Sequence, residues 1–190
     1  MELLMQNLED VIRISNPPLF EKLEPRLTEK RISRLLNKYK VAGDTLPIFS
    51  MYTWRDGVAV ESRQMPEINS FEVYRRSFLP QNECTFLDLE HACIDFQALE
   101  EFAVSKPNLR PAVGNYFPMF SVGDGSWLAT DLRIGHSNRI VLLDWDESLF
   151  EELYESFECF LLDVIRAQEG SQPLDKLPRT WKKVAETWYE

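Results

Sequence analysis

NYFPMFSVGDGSWLATDL, residues 115–132, decides the fold. Two apolar, aromatic runs, Tyr116 to Phe120 and Trp127 to Leu132, flank Gly123-Asp124-Gly125. Such runs bounded by turn residues read as strands. Asp-Gly between them is a hairpin signal, because both residues tolerate the positive φ that a tight turn requires. The competing reading is a ligand loop. A Walker loop needs a Lys after its last Gly, and a dinucleotide loop must open a helix. Here no Lys follows and a strand comes next. A calcium loop needs spaced carboxylates, which are missing. The stretch is therefore read as a hairpin.

Working outward, Arg139 to Trp145, RIVLLDW, is a third strand. Its nearly continuous apolar run suggests burial on both faces. Gly135 to Asn138 forms the turn before it, so the three strands make an antiparallel meander. Helices are predicted on both sides. Leu3, Leu4, Leu8, Val11, Ile12 and Ile14 recur at roughly helical spacing until Asn16-Pro17-Pro18 stops them. Thr28 offers an N-cap to a helix whose apolar face is Ile32, Leu35, Leu36 and Tyr39. Leu46 to Trp54 forms a short helix with Pro47 in its first turn and Asp56-Gly57 beyond its end. Asp88 caps a helix from Leu89 to about Val104, and Ser156 caps Phe157 to Gln168. Val58, Val60, Phe71, Val73 and Tyr74 suggest short strands. A last short helix is predicted from Arg179 to Tyr189. Helices, then a meander, then helices give an α+β fold, an antiparallel meander sheet packed with helices in a single domain.

The 190 residues, 44% of them apolar, suffice for one domain with a sizeable core. With 31 acidic and 21 basic residues the net charge is -10, which disfavours nucleic-acid binding. It keeps a protein soluble and also attracts a basic protein partner. Cys84, Cys93 and Cys159 are odd in number and lack metal spacing; Cys93 and Cys159 read as core. The start, MELLMQNLED, has no basic region of a signal peptide, and no apolar run is long enough for a membrane. A cytoplasmic location is expected.

Asp144, Asp146 and Glu147 form an acidic cluster at a strand end. Paired carboxylates serve magnesium or acid–base work, but no activated nucleophile accompanies them. A solvated strand end, or a contact for a basic partner, is the other reading. His91 and His136 lie in separate contexts without a Ser or Cys partner in a recognisable motif. No catalytic residue, cofactor or metal is expected. Trp54 and Trp127 read as core. Trp181 and Trp188 must dock on this domain or on another chain.

Several short pieces occur in a familiar order. Leu46-Pro47 opens a helix ending in Trp54-Arg55-Asp56-Gly57, and Phe86-Leu87-Asp88-Leu89-Glu90 opens the next. Phe117-Pro118-Met119-Phe120, Gly123 and Trp127 to Asp131 make the hairpin, and Glu155-Ser156-Phe157-Glu158-Cys159-Phe160-Leu161 begins the closing helix. This order resembles the SUKH superfamily, the Smi/Knr-type proteins, from about Leu27 to Gly170. Asp56 stands where that family usually has Asn, and Gly123-Asp124-Gly125 where it has Gly-Gly. The resemblance divides the chain into an N-terminal helical extension (1–26), a SUKH-like domain (27–170) and a C-terminal tail with a short helix (171–190). It implies a non-catalytic protein-binding module, a bacterial immunity protein that neutralises a cognate toxin such as a nuclease. The alternative it implies is a scaffold or regulator with a housekeeping partner. The expected contacts are the densest acidic run, Asp144, Asp146, Glu147, Glu151 and Glu152, with Glu61 and Glu67 as weaker ones.

Overall fold

The computed structural model describes residues 1–58, 84–122, 126–136, 138–144 and 149–169. The protein is α+β. Five antiparallel strands form one sheet in sequence order: β1 (Cys84–Phe86), β2 (Tyr116–Val122), β3 (Ser126–Asp131), β4 (Ile140–Asp144) and β5 (Leu149–Tyr154). The helices are α1 (Glu2–Ser15), α2 (Pro17–Phe20), α3 (Glu29–Lys38), α4 (Leu46–Trp54), α5 (Leu89–Ser105) and α6 (Phe157–Gln168). A 3-10 turn, Pro107–Ala112, leads into β2.

The hairpin at the centre pairs Val122 with Ser126 and Tyr116 with Asp131. Gly123-Asp124-Gly125 itself lies outside the described residues. The meander has two strands more than the three the sequence predicts. β1 is three residues long and β5 carries Glu151-Glu152, so neither shows an apolar alternation. The predicted strands around Val60, Phe71, Val73 and Tyr74 and the helix from Arg179 lie outside the described residues. Val58 forms a lone bridge to Leu23.

Every residue of β3 is buried, and so are Ile140 to Leu143 of β4. Successive side chains of a strand point to opposite faces, so both faces of the sheet are covered here. Phe160 of α6 meets Phe120 and Tyr154 at 5.3 and 5.4 Å between ring centres. From α5, Phe96 packs on Phe117 and Phe102 stacks on Trp127. Pro118 sits within β2 although it lacks an N–H. The register slips between Pro118 and Phe120, an irregularity of the kind where a strand accommodates proline. The Met119 carbonyl at this bulge accepts from Leu87 N–H at 3.0 Å.

Thr28, Asp88 and Ser156 each cap a helix through a side-chain oxygen, as their sequence positions predict. In α1 the buried face is Met5, Leu8 and Ile12; Leu3 and Ile14 are exposed, which corrects the face drawn from the sequence. Their presence in the apolar pattern reflects composition, since 3.6-residue spacing puts both off the stripe through Leu8 and Ile12. Residues 1–26 carry α1 and α2, and Leu8, Ile12 and Leu19 belong to the same buried cluster as the sheet. α1 packs on α6 and α4. Cys93 is fully buried, whereas Cys159 is only partly so, at variance with its reading as core.

Candidate partner-binding face

β5 lies at one edge of the sheet. Its Glu151 stands opposite Leu142 of β4 and Glu152 opposite Val141. Consecutive strand residues point to opposite faces, yet both glutamates are exposed. Asp144, at the end of β4, is half-buried and pairs in register with Leu149. Asp146 and Glu147, like Glu61 and Glu67, lie outside the described residues. The register therefore puts Asp144 and Glu151 on one face of the β4–β5 edge and Glu152 on the other.

Glu155 and Glu158, which the sequence reading left out, continue the exposed acidic run beyond β5. Glu158 occupies the first turn of α6, where the helix dipole favours an anion. Glu152 is held by a cation: Arg139 Nη1 donates to both its oxygens at 2.8 and 2.9 Å. Both partners are well exposed, so the pair is worth under about 1 kcal/mol.

A second polar centre closes the β3–β4 turn. Asp131 is fully buried and accepts from Arg133 three times, from its backbone N–H and Nε at 2.9 Å and from Nη2 at 2.6 Å. Arg133 also donates to the Tyr116 hydroxyl and lies over its ring. Burial would raise the Asp131 pKa, but the Arg133 hydrogen bonds outweigh it and hold the carboxyl below the usual range. His136 Nδ1 is 3.6 Å from the same carboxylate. These groups tie the turn to the sheet.

A cleft of about 770 Å³ opens between α1, α4 and the segment before α3, with Met5, Glu9, Arg26 and Trp54 among its lining. Glu9 accepts from Trp54 Nε1 at 2.9 Å, Arg55 at 3.2 Å and Arg13 at 3.0 Å. So many donors make it a strut between α1 and α4.

Cys84 and Cys93 do not suit nucleophilic chemistry. Burial pushes the Cys84 thiol far up and the Cys93 thiol up to about 12, which suppresses the reactive thiolate. His91 is exposed and its Nδ1 meets Asp88 at 2.7 Å, at the start of α5. Among the described residues no group of three His, Cys, Asp or Glu is placed to hold a metal. No helix among them is long and apolar enough to cross a membrane. No protein-family model matches the chain, and no curated protein matches it.

Proposed function

We propose that this chain is a non-catalytic protein-binding module that neutralises a basic toxin, in the manner the SUKH resemblance implies for a bacterial immunity protein of the cytoplasm. The observation that supports this reading is the acidic β4–β5 edge, where Glu151, Glu152, Glu155 and Glu158 are exposed and Arg139 pairs with Glu152. β5 is held in register against β4, which is buried on both faces, so the backbone that carries the charge is ordered before binding. The mechanism is occlusion. The acidic edge is steered to a cationic surface and covers it. Nuclease toxins fit the description, because they must hold a polyanion.

Affinity capture with the tagged full chain, at low and moderate salt, tests this. A single basic protein retained near one to one and weakened by salt is expected, and its toxicity should be relieved by the chain. Retention of a neutral or acidic housekeeping protein instead would favour the scaffold role.

A further inference from the structure

β5 pairs with β4 on one side, and among the described residues no strand lies on its other side. An antiparallel edge strand directs the N–H and C=O of alternate residues outward, which makes it a template for another strand. The 3-10 turn and α6 also touch β5. Leu153 and Tyr154 are buried, and the register with β4 slips between Ile140 and Val141, opposite these residues. The exposed part of the strand thus includes Glu151 and Glu152.

We infer that a basic, extended segment of the partner adds to β5 as a sixth strand. This rests on the reading above and supplies its contact mode. Charge selects the occupant. A second copy of this chain, paired strand to strand, would set Glu151 and Glu152 beside their own counterparts, and like charges facing across strands are unfavourable. A segment alternating cationic and β-branched residues meets both needs. Its backbone completes the ladder, and its cations, all on one face of the added strand, meet Glu151. Glu152 is shared with Arg139, so Glu151 is the carboxylate without a described counter-ion at this edge.

The test uses the full chain and a decapeptide of alternating lysine and valine as probe. A second version carries N-methyl groups on every backbone amide, so that neither edge can donate, and keeps the same charge. Binding is measured by calorimetry at about 50 and about 300 mM salt, and the β5 amides are followed by hydrogen exchange. The expected result is salt-sensitive binding of the parent peptide and slowed exchange in β5. The methylated peptide should bind more weakly by about tenfold or more. Glu151→Lys should weaken the parent peptide while leaving the Arg139–Glu152 pair intact. Equal binding of the two peptides would overturn the inference, because charge alone would then suffice. Unchanged exchange in β5 would overturn it as well. Both peptides act on the unaltered chain, so the answer survives if the variant fails to fold. If a natural basic partner binds one to one but leaves β5 exchange unchanged, strand addition is wrong and neutralisation stands. If no basic partner is retained, the neutralisation reading fails first.

Discussion

Asp131 and Arg133 should differ in what their loss costs, in an order set by burial. The carboxylate is fully buried, while the arginine side chain keeps 38% exposure. Removing the charge of Asp131 leaves a guanidinium that can turn to water. Asp131→Asn still offers an oxygen to the Arg133 N–H, so its cost should be about 1–2 kcal/mol, that of charge-assisted hydrogen bonds made neutral. Removing the guanidinium strands a buried anion. Arg133→Met keeps the aliphatic stem over Tyr116 and should cost about 3–5 kcal/mol. The double variant removes both charges and should be more stable than Arg133→Met alone. The pH dependence follows from the same geometry. In the native chain the Asp131 pKa is lowered, so its contribution is present above the unfolded value near 3.8 and is lost as pH falls through the lower folded value. In Arg133→Met the guanidinium is gone, only the backbone N–H at 133 and His136 oppose burial, and burial raises that pKa. Stability is then lost as pH rises above the unfolded value near 3.8, and the deficit should shrink as pH falls toward it. Urea unfolding followed by tryptophan fluorescence measures all four proteins. The argument fails if the double variant is less stable than Arg133→Met, or if Asp131→Asn is the costlier single change.

Two further outcomes are expected. Asp56 accepts from the Leu89 N–H at 2.9 Å, and its pKa is raised by burial first and then by Asp88 and Glu24. Its folded state holds the proton more tightly than the unfolded chain, so its effect on stability worsens as pH rises above about 3.8. Asp56→Asn, which places the residue usual in the SUKH pattern that the sequence resembles, should keep the hydrogen bond. It should stabilise at neutral pH, and thermal unfolding at about pH 3 should show no gain. Gly57 and Gly135 both have positive φ, +79° and +86°, but a Cβ on Gly57 would sit 2.3 Å from the Asp88 nitrogen while one on Gly135 would meet nothing within 4 Å. Gly135→Ala should therefore cost only the backbone strain of about 1 kcal/mol, and Gly57→Ala clearly more; equal melting shifts would show that the close approach at Gly57 is immaterial.

What the sequence reveals and what it hides follow from how local each signal is. Thr28, Asp88 and Ser156 are legible because a cap needs one oxygen and the next three residues. β2, β3 and β4 are legible because burial on both faces demands continuous apolar runs. β5 is not, and for a physical reason: an edge strand is half uncovered, so selection for packing does not write a pattern into it. Leu149 to Tyr154 reads LFEELY, and the two glutamates that erase its alternation are the ones the edge leaves exposed. The Asp131–Arg133 anchor is hidden differently. Two charged residues one apart look like solvated surface, and only pairing with Tyr116 across the hairpin shows that the carboxylate is inside. The residues that carry the family resemblance divide along the same line. Phe117, Phe120 and Asp131 are buried and Gly57 is conformationally constrained, whereas Leu46 of the Leu-Pro pair is 54% exposed. Most of that signature builds the fold. On the proposed binding role, specificity would reside in residues the fold does not need, and the exposed glutamates of β5 are such residues: they cap nothing, fill no core and sit where, among the described residues, no further strand pairs.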